Sequence, residues 1–284
     1  MKSKNFLIFL IVFFLVLVFL SAILTFSQKE TSLKEKIALI KVEGPIIQSK
    51  SVVDELKEHT KNNQIKAIVL RIESPGGGVV PSQEIYDAVK KTSKTKKIIV
   101  SMGAVAASGG YYIAAPATRI VANPGTITGS IGVIMEIPNV QGLMDKIGIK
   151  TEIIKSGKYK DMTSVSKGIG KEQRAILQGL LDDVHEQFIK AVAEGRKMPV
   201  EKVRELADGS VFSGVQALDK GLIDELGSLE NAVKIAANLA GIKGEPEVIT
   251  KKNRHYLLDL FENRIYNYLS GSFSSYELKY LFLP

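Results

Sequence analysis

Two serines in glycine-rich surroundings are the residues of this chain best placed to do covalent chemistry. Ser108 stands in AVAASGGYYIAA, followed directly by Gly109 and Gly110, and Ser130 stands in TGSIGV. A hydroxyl that attacks a carbonyl carbon needs a backbone that substrate can approach closely, and glycine permits this because it has no side chain. If YYIAAPA opens a short buried helix, the Gly109 amide lies at a helix N-terminus, where an unpaired N–H can face a developing oxyanion. A second glycine turn, Ser74-Pro75-Gly76-Gly77-Gly78, can offer amides in the same role or simply be a tight strand-to-helix loop. It lacks the G-x-x-x-x-G-K-[ST] pattern of a phosphate loop. Taken alone, an Ala/Ser/Gly stretch also fits close helix packing.

A serine nucleophile needs a base, and the histidines do not supply one. His59 sits in a charged helix, His185 beside an apolar helical stripe and His255 in the tail, so no Ser-His-Asp arrangement is evident. Asp224 reads as a turn or capping carboxylate. The chain has no cysteine, which excludes a thiol nucleophile and thiolate metal sites. Lys155, Lys158, Lys160 and Lys167 remain, in KSGKYKDMTSVSK. A free lysine has a pKa of about 10.4, so roughly one in 2,500 is neutral at pH 7. A lysine base therefore requires a dry site that disfavours its charge. Spacing does not choose among the four.

Several elements must position these groups. Residues 37–44, 66–73, 96–103 and 119–122 read as strands, alternating with helices at 51–62 and from Pro81 onward, and the alternation predicts an α/β fold. IGVIM, residues 131–135, reads as a further strand along which an extended peptide could pair by strand addition. Residues 150–155 read as another strand. A long helix over 171–195 carries Ile176, Leu180, Val184, Phe188 and Val192 as a core-facing stripe. Shorter helices are expected near 199–207 and 213–220, and a last one over 229–241.

Residues 6–26 carry no charge and match the ~20 apolar residues that cross a bilayer. Lys2 and Lys4 precede them, which predicts a cytoplasmic N-terminus and an extracytoplasmic domain. A cleaved signal peptide is the competing reading. Its apolar region is usually about 7 to 15 residues, and the best small-x-small site, Thr25-Phe26-Ser27, is poor. The expected organisation is 1–28 cytoplasmic N-terminus and single-pass membrane anchor, 29–36 connector, 37–245 globular domain and 246–284 a tail of open role. The formal charge of +8 is scattered rather than striped, so no nucleic-acid partner is expected, and it suits an anionic membrane surface.

Taken together, SPGGG at 74–78, AASGGYYIA around Ser108, TGSIGV around Ser130 and SGKYKD around Lys160 give a chain that resembles the signal peptide peptidase A family over about residues 36–241. The resemblance implies a Clp protease/crotonase-like fold of repeated β-β-α units. It implies a serine endopeptidase with a Ser/Lys dyad, in which Ser108 is the nucleophile, Lys160 the general base and Ser130 the residue that positions the lysine. The Gly77 and Gly109 amides correspond to the oxyanion hole, and no metal or organic cofactor is implied. Remnant signal peptides or other apolar peptides are the implied substrates, with small or apolar side chains preferred, and a homo-oligomer is the implied assembly. A related protease of membrane proteins, crotonase-like chemistry on acyl-CoA and a non-catalytic membrane scaffold are the alternatives.

Overall fold

Unbroken Val/Ile/Leu runs are the pattern of parallel strands buried on both faces. β1 (Lys36–Glu43), β2 (Ile65–Ser74) and β4 (Lys97–Ala107) carry that pattern and pair in parallel. A computed structural model describes residues 12–21, 35–251 and 279–282. In it α2 (Lys50–Lys61) joins β1 to β2, while β3 (Gly76–Gly78) and α3 (Val79–Ser93) join β2 to β4. α4 (Gly109–Ala114), β5 (Arg119–Ala122) and β6 (Ile127–Gly129) follow, then α5 (Gln141–Lys146), the long α6 (Lys171–Arg196) and α7 (Val200–Leu206). β7 (Val211–Ser213), α8 (Gly214–Asp219), β8 (Glu225–Leu226), α9 (Leu229–Ala240) and β9 (Glu247–Thr250) complete the domain.

The main sheet runs β7-β6-β4-β2-β1-β9, with β5 pairing β4 and β8, and every pair is parallel except β6 with β7. This is the mixed α/β architecture the alternation predicts, in keeping with a Clp/crotonase-like fold. Successive strand residues point to opposite faces. Ala38, Ile40, Ile68, Leu70, Ile98 and Val100 therefore pack in one cluster with Leu56, Ile85, Tyr112 and Phe188 from α2, α3, α4 and α6. Ile37, Leu39, Ala67, Val69 and Ile99 pack on the other face against Ala232, Ala236 and Ala237 of α9. β9 carries the sheet past residue 245. A separate pair is formed by β10 (Lys279–Leu281), antiparallel to β3.

Three expectations need correction. Residues 131–135 are not a strand: β6 lies before Ser130, and Gly129 and Ser130 turn the chain with φ of 78° and 51°. Only Ile134 forms a bridge, to Lys279. Residues 150–155 are exposed and no strand pairs with them among the described residues, so their β-forming side chains have no sheet edge to join; Ile154 is 95% exposed. On α6 the stripe is buried only toward the C-terminus, where Val184, Phe188 and Val192 join the core while Ile176 and Leu180 stay exposed.

Of the expected span at 6–26, residues 12–21 are helical (α1) and exposed, and the rest lies outside the described residues. Among the described residues no helix is long and apolar enough to cross a membrane. Most of the tail likewise falls outside them.

Candidate active site

β4 reaches the site through an irregularity that re-aims it. Ile72 pairs with Met102 but Ser74 pairs with Ala106, so the stretch of β4 between these pairs is longer than its partner. The Glu73 carboxylate accepts hydrogen bonds there from the Ala104 amide at 2.8 Å and the Val105 amide at 3.1 Å. Beyond the bulge β4 runs parallel to β6 until Ala107 pairs with Gly129. The Thr128 hydroxyl fastens this pairing by donating to the Ala106 carbonyl at 2.7 Å. Ser108 and Ser130 thus leave the ends of adjacent parallel strands, and the Ser108 amide donates to the Gly129 carbonyl at 2.8 Å.

Ser108 is the turn between β4 and α4. Its backbone has φ 52° and ψ −115°, a conformation that L-residues rarely adopt and that costs on the order of 1–3 kcal/mol. Such sharp strand-to-helix turns present a nucleophile at the end of a parallel sheet. The residue is 1% exposed, and its hydroxyl makes no hydrogen bond among the described residues. Gly109, first residue of α4, has an amide with no acceptor inside its helix.

The glycine turn lies directly against this point. Ile46 donates to the Gly76 carbonyl and accepts from the Gly78 amide, both at 2.8 Å, so alternation along the strand turns the Gly77 amide toward the opposite edge. A Cβ on Gly109 would stand 3.1 Å from the Gly77 nitrogen, and a Cβ on Gly76 would stand 2.7 Å from the Gly109 nitrogen. Only glycines allow the two backbones to come this close. The Ser74 hydroxyl accepts from the Gly76 amide at 3.1 Å and the Ser82 hydroxyl donates to the Gly78 carbonyl at 2.8 Å, which fixes the turn from within.

Ser130 is nearly buried and its amide donates to the Ser210 carbonyl at 2.8 Å. It lines a cleft of about 610 Å³ together with Ile134, Asp182, His185, Asp208 and Leu281. His185, which the sequence places beside a core stripe, turns a buried Nε2 without a hydrogen-bond partner among the described residues. Asp224 is structural, as its reading as a turn carboxylate predicts: it accepts the Ile120 amide at 2.7 Å and both arms of Arg196 at 2.9 and 3.0 Å. Burial works against its charge, but Arg196 and the amide outweigh it and hold the carboxyl below its usual range.

Lys160 lies exposed in the loop after α5, with no hydrogen bond or ion pair to either serine. Its neighbours are committed elsewhere. Lys155 and Lys167 bond to opposite oxygens of Asp161 at 2.7 and 2.6 Å, which lowers that carboxyl to about 2. Lys158 is held by Glu172 at 2.6 Å, a bond that raises its pKa. Lys160 alone of the four has no carboxylate partner among the described residues.

Sequence reasoning missed the aromatic wall beside Ser108. Tyr112, one turn after Ser108, packs between Tyr86 and Phe188 at centroid distances of 5.0 and 4.9 Å, and burial pushes its hydroxyl up to about 12. The adjacent tyrosines of SGGYY and the apolar end of the chain were the available signals.

Peptidase family S49 matches over residues 90–243, a stretch that contains Ser108, Ser130 and Lys160 but not Gly77. A candidate protease of Synechocystis is 47% identical over 215 residues, which cover 75% of this chain and 77% of the relative. A candidate signal peptide peptidase SppA of Enterococcus faecium is 39% identical over 63% of this chain and 52% of its own length. The chloroplastic serine protease SPPA of Arabidopsis thaliana is 34% identical over 72% of this chain and 31% of its own. The chain thus spans about half or less of the length of the latter two.

Proposed function

The chain belongs to peptidase family S49, the signal peptide peptidase A group, and is a serine protease; on that premise we propose that it cuts apolar peptides with a Ser108/Lys160 dyad. The observation that carries the proposal is the strained Ser108 turn, with the Gly77 and Gly109 backbones converging beside it. A neutral Lys160 amine takes the Ser108 proton, Oγ attacks the peptide carbonyl, and the two glycine amides stabilise the oxyanion. The lysine then protonates the leaving amine. In the second half it draws a proton from water, which releases the acyl group and restores the serine.

Lys160 is exposed and makes no hydrogen bond to the buried Ser108 within one chain, so the dyad requires a closure of the 136–170 loop or a second copy. Exposed Leu143, Ile147, Ile149 and Ile154 on that segment, with Ile176 and Leu180 on α6, favour the second copy, because apolar side chains so presented are what an interface between subunits covers. The Ser130 hydroxyl then receives the incoming amine without adding charge. Placement of the domain outside the cytoplasm on an N-terminal anchor, and remnant signal peptides as its substrates, are part of the same proposal; they rest on the charge-free run at 6–26 and on the names of the relatives.

Gly109→Ala tests the oxyanion assignment. The new Cβ would meet Ser82 Oγ at 2.8 Å and the Gly76–Gly77 backbone at 3.1 Å, forcing the two amides apart. Loss of one oxyanion donor costs about 10²–10³ in kcat. We expect that loss in hydrolysis of a fluorogenic apolar peptide, with KM within threefold and an unchanged circular dichroism spectrum. Full activity in Gly109→Ala would remove Gly109 from this role.

A further inference from the structure

Ser108 reaches the glycine turn because β4 is longer than the stretch of β2 beside it. Ile72 pairs with Met102 and Ser74 with Ala106, so a single residue of β2, Glu73, stands against three of β4, Gly103, Ala104 and Val105. Continued from the pairing before the bulge, the register would set Ser108 level with Gly78; continued from the pairing after it, Ser108 stands level with Gly76. Two residues of strand at ~3.3 Å each make the difference about 6.6 Å. Without the bulge the Gly109 amide would be carried past Gly77.

A bulge takes amides out of the ladder, and here Glu73 collects them. Its Oε2 accepts from the Ala104 amide at 2.8 Å and its Oε1 from the Val105 amide at 3.1 Å. The carboxylate lies over Gly103, where a Cβ would stand 1.6 Å from Oε2. Arg71, two residues back on β2, steadies the same stretch: Nη1 donates to Ser101 Oγ and to the Met102 carbonyl, both at 2.9 Å, and Nη2 stands 4.0 Å from Glu73 Oε2. From β4's other side the buried Thr126 hydroxyl donates to the Gly103 carbonyl at 2.7 Å. The Glu73 backbone is itself held by β1, since its carbonyl accepts the Gly44 amide at 2.9 Å. Ala104 is exposed, so water could satisfy its amide equally well. What the carboxylate adds is a fixed geometry, tied to the centre of the sheet.

We propose that Glu73 is a positioning residue for the peptidase reaction: its carboxylate clamps the β4 bulge at the length that brings Ser108 and the Gly109 amide level with the glycine turn. The inference rests on the protease reading and adds a residue outside the site that the family resemblance implies. The clamp sets the spacing of nucleophile and oxyanion donors and touches no substrate, so its loss acts on kcat rather than on KM.

The test uses the full chain and two variants. Glu73→Gln keeps the size of the side chain but turns an N–H donor toward one of the two amides. Gly103→Ala leaves Glu73 in the chain and displaces its carboxylate, and it serves if the first variant folds poorly. In hydrolysis of a fluorogenic apolar peptide each should lower kcat about 10²-fold with KM within threefold, the loss that accompanies a misplacement of about 1 Å. Adding Glu73→Gln to Gly109→Ala should cost at least about tenfold less than the product of the separate losses, because both act on one pair of amides. A merely structural role, which lowers the fraction of folded enzyme, would let the losses multiply. Amide hydrogen exchange in Glu73→Gln should quicken at least about tenfold over residues 103–109 and stay unchanged in β1. Wild-type kcat in both variants, losses that multiply, or unchanged exchange over 103–109 would overturn the proposal. A wild type that hydrolyses nothing, with faster exchange confined to 103–109 in the variant, would overturn the protease reading while upholding the clamp.

Discussion

Ser108→Ala is expected to lower kcat/KM at least about a thousandfold, because removal of the nucleophile leaves only the oxyanion donors and binding to act on the substrate. The fold should not change. Alanine at the same position carries the same backbone strain, and the hydroxyl it removes has no hydrogen-bond partner among the described residues. Removing a hydroxyl that makes no hydrogen bond to the described residues takes away little, so the melting temperature should correspond to a change within about 1 kcal/mol. Hydrolysis of a fluorogenic peptide and thermal melting of the same samples separate the two effects. A variant that melts like wild type and hydrolyses like wild type would place the nucleophile elsewhere.

Lys160→Met should cost a comparable factor, and Lys160→Arg should not rescue it, because a guanidinium stays charged and cannot accept the serine proton. For the wild type the sign of the pH dependence follows from the same requirement. Only the neutral amine is a base, so kcat/KM should rise with pH through one ionisation and then level off. Replacing Lys155, Lys158 or Lys167 should change activity far less, since each is bound to Asp161 or Glu172. If a second copy supplies the lysine, a mixture of Ser108→Ala and Lys160→Met chains, each inactive alone, should regain activity after co-refolding. No recovery in a mixture that does form mixed oligomers would favour loop closure within one chain.

Much of the sheet could be read from the chain because its central strands are buried on both faces, and burial of that kind leaves continuous apolar runs in β1, β2 and β4. RIVA reads as a strand and forms one, at Arg119–Ala122. Where apolar residues are not buried, the same pattern misleads. KTEIIK has the composition of a strand but no edge to join, and Ile176 and Leu180 continue a helical stripe past the point where α6 meets the core. IGVIM fails for a local reason, since two successive positive-φ residues at 129 and 130 end the strand before it.

The site divides along the same line. Ser108 and the glycines at 76–78 and 109–110 stand out as candidates because close backbone approach demands glycine, a requirement visible in the residue types themselves, while the choice of Gly77 among them comes from the family resemblance. Their convergence was not visible, because it depends on the bulge near Glu73 and on the pairing of Ala107 with Gly129. The pairing of Tyr280 with Gly77 lies further out of reach of sequence reasoning: it joins the last residues of the chain to a turn some two hundred positions earlier, and nothing periodic in the tail announces it.

Covalent capture tests the nucleophile most directly. The full chain would be treated with a peptidyl phosphonate ester bearing an apolar residue at the acyl position, and the adduct located by mass spectrometry of its fragments. The expected result is one adduct per chain, on Ser108, formed in step with loss of hydrolysis and absent from Ser108→Ala. An adduct on another residue, or hydrolysis that proceeds undiminished while Ser108 stays unmodified, would contradict the assignment of Ser108 as the group that attacks the peptide.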